Sequence, residues 1–309
     1  SIILYKEQTV FKMKILLVII TYLIFILPVF AEENRVIENT LQEYIAGKDA
    51  RIGVAVIINS KDTVSINGNR DFPMMSVVKF PLALTVAHWI DNNDMSLNDS
   101  IAFGENDLNE DTYSPMLKMY GKSRNAMTVR ELFEWSLVES DNNAADILLK
   151  RIGGTSGATS LMRQLNISDE ILIGASEEDM HRDLRLCYQN WTSPLDAAKL
   201  LDLFVSRPLF TEPHQTFIKQ TMIECETGKD RLAQPLEATD AIIGHKTGTG
   251  DLNARWQLIG TNDIGFVFLP DEERYTIAVF AKDSEESPEA TAAIIADISR
   301  IVYQYIQRD

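Results

Sequence analysis

MSVVKFPLALTV, Met75 to Val86, is almost wholly uncharged, yet it holds one full cation, Lys79, three residues after Ser76. Apolar neighbours make an unpaired ammonium costly, so this charge needs a reason. The stretch follows a turn-like DFPM and opens a helical run, which puts Ser76 at or near a helix N-terminus. Backbone N–H groups there favour developing negative charge. Lys79, one turn on, shares a face with Ser76. An ammonium beside a serine hydroxyl lowers the cost of an alkoxide or shuttles its proton. A lysine snorkelling to solvent accounts for the same residues, and S-x-x-K alone is too short a motif to decide between the two.

Working outward, Asn34–Ala46 has helical spacing of apolar residues, RIGVAVIINS is strand-like, and DTVSING is its hairpin partner. From Ser76 to about Thr221 the pattern is mostly helical. After Ala241 come four short strand-like runs, AIIGHKTGTG, ARWQLIG, GFVFLP and RYTIAVFAK, with PDEER a turn between the last two. SPEATAAIIADISRIVYQYI closes the chain as an amphipathic helix, with Ser287 as N-cap and Pro288 in its first turn. Strands at both ends with helices between predict an α+β fold. One antiparallel sheet is built from both termini, a helical domain is inserted, and a cleft lies where the two meet. The expected boundaries are 32–73 with 225–309 for the sheet domain and 74–224 for the helical domain.

The chain has 309 residues and a net charge of −16. It carries no basic run, which argues against a nucleic-acid partner. Met13 opens MKILLVIITYLIFILPVFA, with Lys14 as a charged start and a small-residue cleavage site at Val29–Ala31. Residues 1–31 are therefore expected to be upstream sequence and a signal peptide; an uncleaved membrane anchor is the alternative. The expectation is an exported protein, periplasmic or secreted, monomeric, with no stable membrane association after cleavage. Cys187 and Cys225 are expected to be separate thiols, since a bridge needs specific geometry. His88, His181, His214 and His245 are scattered without zinc-site spacing, so no metal or other cofactor is expected.

Two further motifs settle the role of Lys79. SLVESDNNAAD contains Ser140-Asp141-Asn142, and GHKTGTGD contains Lys246-Thr247-Gly248 on a predicted strand. S-x-x-K, S-D-N and K-T-G, each once and in this order, belong to penicillin-recognising serine enzymes. On these residues the chain resembles a class A β-lactamase over nearly its whole length after the leader. The resemblance implies a five-stranded antiparallel sheet flanked by helices, an all-helical inserted domain, and an active site between them. It also implies hydrolysis of the β-lactam ring of penicillins and cephalosporins, giving antibiotic resistance.

Several roles follow from the resemblance. Ser76 is the nucleophile, and Lys79 or Glu177, acting through a water, takes its proton. Ser140 passes a proton to the leaving nitrogen. The backbone N–H groups of Ser76 and Thr249 form the oxyanion hole. Asn142 binds the substrate amide, and Lys246, Thr247, Gly248 and Thr249 form the strand that holds its carboxylate. Arg255 falls where many members carry a carboxylate-binding arginine; a surface strand arginine is the alternative. Tyr113 is either an aromatic wall of the cleft mouth or a core residue. In GASEEDMHRD, Met180-His181 resembles the extended-spectrum branch, and the offset from His181 selects Glu177 as the deacylating base. Glu178 and Asp179 are then a solvated loop.

Two departures stand out. Where many members brace the glutamate loop with an arginine–aspartate pair, this chain has Ala175 and Asn190, so the loop must be held otherwise. Pro81 lies early in the nucleophile helix, where it can distort the backbone. The competing functions are a penicillin-binding D-alanyl-D-alanine peptidase, against which Glu177 counts, and a β-lactam sensor domain, for which no signalling segment is evident.

Overall fold

The computed structural model describes residues 35–308; the expected signal peptide and its cleavage site lie outside them. The strands β1 (Arg51–Ile58), β2 (Asp62–Ile66), β3 (Ile242–Thr249), β4 (Leu258–Phe268) and β5 (Arg274–Ser284) form one antiparallel sheet. Their order is β2-β1-β5-β4-β3. The two ends of the chain meet in its middle, where Val54 of β1 lies opposite Val279 of β5.

β1 is buried on both faces, so its side chains feed two cores alternately. Val54 and Val56 pack with Ile277 and Val279 against Ile37 and Leu41 of the first helix and Ile295, Ile298 and Val302 of the last. Ala55 and Ile57 face the other way and join Phe80, Leu84, Phe204 and Phe266. The last helix, Pro288–Ile306, starts as its sequence predicts, with Ser287 Oγ accepting the Ala290 N–H at 3.1 Å.

Helices fill most of the span from Lys79 to Ile223, together with a short strand pair, Ser100–Ala102 with Ala126–Thr128. The helix Pro194–Ser206 rests directly on the sheet, and Thr276 Oγ1 of β5 donates to the Ala198 carbonyl at 3.0 Å. The division at 73/74 and 224/225 stands as a proposal about chain segments; the second core runs across it.

One expectation is corrected. ARWQLIG and GFVFLP are not two strands: Leu258–Phe268 is a single strand, preceded by a turn that holds Arg255 and Trp256. The polar residues between the two runs, Thr261, Asn262 and Asp263, lie within this strand, and all three side chains are buried. Buried polar groups persist where they are satisfied. Asn262 Nδ2 donates to the Pro73 and Met74 carbonyls at 2.8 and 3.1 Å, and Asp263 pairs with His245 at 3.0 Å. Pro81 is the third residue of the helix Lys79–Asn92, where a missing N–H costs no intrahelical bond.

Candidate active site

A single 3₁₀ turn, Met75–Val78, carries Ser76 and leads straight into the helix that begins with Lys79. Met75 sits at φ 49° and Ser140 at φ 57°, both left-handed and both beside the serine hydroxyls. Strained backbone of this kind persists only where the surroundings fix it. Part of that fixation is Gly248, where a Cβ would come within 2.4 Å of the Met74 carbonyl oxygen. Glycine in K-T-G is thus what lets β3 lie against the nucleophile turn.

Lys79 is fully buried and is the hub of the site. Its Nζ lies 3.0 Å from Ser76 Oγ, 2.8 Å from the Ser140 carbonyl, 2.6 Å from Asn142 Oδ1 and 3.0 Å from Glu177 Oε1. The charge in MSVVKFPLALTV is therefore paired and hydrogen-bonded rather than snorkelled. Lys246, also fully buried, donates from Nζ to Ser140 Oγ at 2.9 Å and to its neighbour's carbonyl, Thr247 O, at 3.0 Å. Burial pulls its ammonium down to about 7, because desolvation penalises the charged form. Ser140 Oγ thus sits between two lysines.

The middle residue of S-D-N is architectural. Asp141 Oδ1 caps the helix Asn142–Arg151 by accepting the Ala144 N–H, and its Oδ2 accepts from Ser114 Oγ and the Met116 N–H. Burial raises its carboxyl above the usual range. These bonds fix the segment bearing Tyr113, which is half exposed and lines the cleft.

The glutamate loop is held without an ionic brace. Asn190, fully buried, accepts the Gly174 and Ala175 N–H groups at 2.8 and 2.9 Å and donates to the Ala175 carbonyl at 3.0 Å. Glu177 opens a short helix, Glu177–Arg182, capped by Ser176 Oγ, which accepts the Asp179 N–H at 3.0 Å. From the helix of the S-D-N motif, Asp146 accepts the N–H groups of Glu177 and Glu178, both at 2.8 Å. Burial, and then the nearby Glu177 charge, push the Asp146 carboxyl up to about 7. Glu178 is exposed and pairs with Arg182, whereas Asp179 is part of the cap. The described residues contain no cis peptide bond.

These groups line a cleft of about 340 Å³, with Ser76, Ser140, Asn142, Glu177, Thr247 and Thr249 joined in its lining by the more exposed Tyr113 and His181. Arg255 does not reach it: the turn Asn253–Gln257 leaves that residue exposed. The cation near the carboxylate strand is instead Arg231, buried, with NH2 donating to Thr249 Oγ1 at 2.6 Å and NH1 to the Gly248 and Asn262 carbonyls. Arg231, a lone arginine in a polar loop, carries no local sequence signal. Asp146 had one: it lies four residues after Asn142, hence on the same helix face. Cys187 and Cys225 are separate buried thiols, as expected. Cys187 lines the cleft, and burial pushes its thiol up to about 12.

Ser76 bonded to Lys79, Ser140 between Lys79 and Lys246, and Glu177 paired with Lys79 form an arrangement suited to acyl transfer followed by hydrolysis. The profile described as the beta-lactamase enzyme family matches residues 36–306. The chain belongs to that family. A β-lactamase of Phocaeicola vulgatus is 36% identical over 89% of this chain and 86% of its own length. The extended-spectrum β-lactamase PER-1 of Pseudomonas aeruginosa is 33% identical over 88% of each. A solved class A β-lactamase from Bacteroides cellulosilyticus superposes with a TM-score of 0.84 at 36% identity, covering 90% of this chain and 99% of that one. This β-lactamase is accordingly a class A serine hydrolase, which opens β-lactam rings and thereby gives resistance to those antibiotics. No helix among the described residues is long and apolar enough to cross a membrane.

Proposed function

We propose that the enzyme hydrolyses penicillins and cephalosporins through an acyl-enzyme on Ser76, and that its range extends to oxyimino-cephalosporins. The observation that carries the chemistry is the convergence of Ser76 Oγ, Asn142 Oδ1 and Glu177 Oε1 on Lys79 Nζ, all within 3.0 Å. The Ser76 proton leaves toward the Lys79–Glu177 pair as Oγ attacks the ring carbonyl. Backbone N–H groups of Ser76 and Thr249 face the developing oxyanion. Ser140, hydrogen-bonded to Lys246, delivers a proton to the ring nitrogen as the C–N bond breaks. Glu177 then takes a proton from water, which attacks the ester and frees Ser76. Lys246, Thr247 and Thr249 receive the substrate carboxylate, with Arg231 in place of Arg255 behind them. Asn142, whose Nδ2 already donates to Thr112 Oγ1 at 2.9 Å, orients the substrate amide.

The wider range is supported by the glutamate loop. Its brace is the neutral Asn190 rather than an ion pair, His181 lines the cleft, and PER-1, a relative at 33% identity, is named for an extended spectrum. The test compares kcat/KM for cefotaxime or ceftazidime with that for a simple penicillin. A pocket that misses some contacts changes such ratios by roughly 10–200-fold. Oxyimino substrates falling far below that window would remove the wider range while leaving the Ser76 chemistry intact. The leader Met13–Ala31 supports export to the periplasm or medium, where the antibiotic is met.

A further inference from the structure

Arg51 and Lys282 are register partners across the β1–β5 ladder, so two cations stand directly opposite one another on adjoining strands. Like charges so placed destabilise a sheet. Little offsets them. Arg51 NH1 lies 3.6 Å from Asp283 Oδ2, and Asp283 already accepts the Tyr188 hydroxyl at 2.8 Å. Lys282 Nζ donates to the Asp71 carbonyl at 3.0 Å and sits 5.8 Å from the centre of the Phe72 ring. It pairs with no carboxylate among the described residues.

Both cations line a cavity of about 680 Å³ that shares no lining residue with the catalytic cleft. Lys48 and Arg70 line it too, against one carboxylate, Asp71. Four cations to one acid reverses the balance of a chain with 29 basic and 45 acidic residues. Arg70 is exposed and pairs with no acid among the described residues, and Lys48 Nζ lies 4.6 Å from the centre of the Tyr44 ring. The buried part of the lining is apolar: Ile52, Ile66 and Phe72. Asn67, left-handed at φ 51°, ties β2 to this wall by donating Nδ2 to the Ile52 carbonyl at 2.8 Å.

A cavity of this size suits a small molecule, and apolar walls with a few convergent polar groups are the usual form of such sites. We propose that it binds an amphiphilic anion, with a phosphate head between Arg51 and Lys282 and an apolar body against Ile52, Ile66 and Phe72. The head supplies the counter-charge that the cross-strand pair lacks, through charge-assisted hydrogen bonds. The body gains by leaving water. Lys48 and Arg70 draw the anion in against the net charge of −16. A lipid headgroup and a free alkyl phosphate offer the same chemistry.

Calorimetric titration of the enzyme with alkyl phosphates, below their micelle concentrations, tests this. Octyl phosphate should bind one to one, and each buried methylene added between hexyl and octyl should tighten Kd about fourfold. Inorganic phosphate should bind far more weakly. Octyltrimethylammonium, which an acidic surface would favour, should bind no better. Lys282→Gln and the fully exposed-site variant Arg70→Gln should each weaken octyl phosphate about tenfold or more, with kcat/KM for penicillin unchanged. Sedimentation with phosphatidylglycerol vesicles but not phosphatidylcholine vesicles, lost in Lys282→Gln, would identify a lipid as the source; octyl phosphate binding without it would identify a free amphiphile. Four results would overturn the proposal: affinity independent of chain length, inorganic phosphate or the cationic analogue binding as tightly as octyl phosphate, unaltered affinity in both variants, or octyl phosphate competing with penicillin, which would place it in the catalytic cleft.

Discussion

Asn190 and Ala175 are joined by a two-way backbone clasp: Asn190 Oδ1 accepts the Ala175 N–H at 2.9 Å, and its Nδ2 donates to the Ala175 carbonyl at 3.0 Å. The clasp closes the loop that delivers Glu177. It does so with no net charge in a place where Asn190 has no exposure to solvent. A neutral amide avoids the desolvation cost of a buried ion pair.

Removing the clasp leaves buried backbone groups unsatisfied, at a cost of about 1–3 kcal/mol. Asn190→Ala should therefore lower the melting temperature and raise the susceptibility of the loop to proteolysis. An unchanged melting temperature would show that Met180 and the Asp146 contacts hold the loop alone.

Asp146 should govern the placement of Glu177 without touching substrate. It holds the N–H groups of Glu177 and Glu178. Asp146→Ala should lower kcat by about 10²-fold, the scale expected when a catalytic group moves by about an ångström. KM should change far less. Pre-steady-state kinetics check the assignment: deacylation should slow more than acylation.

Arg231 and Arg255 can be separated by KM. Arg231→Ala should raise KM for carboxylate-bearing β-lactams about 10–100-fold, the range for a hydrogen bond to a charged group. Arg255→Ala, at an exposed turn, should stay within about twofold of the wild type. The reverse order would restore Arg255 to the carboxylate site.

The S-x-x-K, S-D-N and K-T-G positions were legible because each motif is local and its residues act within one turn or one strand. The structure brings Ser76, Lys79, Ser140, Asn142 and Lys246 together as those spacings imply. The sequence runs ARWQLIG and GFVFLP read as two strands, whereas Leu258–Phe268 is one, because the polar Asn262 and Asp263 between them find buried partners in Pro73, Met74 and His245. Those partners come from distant parts of the chain. Arg231 was invisible for the same reason, since its acceptors belong to β3 and β4. Arg255, nine residues after Lys246, fits either a carboxylate-binding arginine or a surface arginine by sequence, and the turn with Trp256 at φ 61° ends before β4 begins and leaves it exposed, outside the residues that line the cleft.

The buried His245–Asp263 pair gives a pH-dependent stability. The folded His245 pKa is raised from 6.5 to about 10. Its contribution is therefore fully present below about pH 6.5 and is lost as pH climbs through about 10. Asp263→Asn should cost roughly 3–5 kcal/mol at pH 6, the scale for breaking a buried pair. The difference from the wild type should shrink toward pH 10. Denaturant melts at the two pH values measure it, and a difference independent of pH would contradict the ionic pairing.

The central claim is that Ser76 forms an ester that Glu177 then clears. Glu177 Oε1 is 3.0 Å from Lys79 Nζ and its side chain is nearly buried, whereas the neighbouring Glu178 is exposed and pairs with Arg182. The most direct measurement is the intact mass of Glu177→Ala after mixing with a penicillin, followed by peptide mapping. The account predicts a long-lived adduct, one intact penicillin heavier, on Ser76, while Glu178→Ala turns over nearly as the wild type does. Wild-type turnover by Glu177→Ala, or an adduct on any other residue, would contradict it.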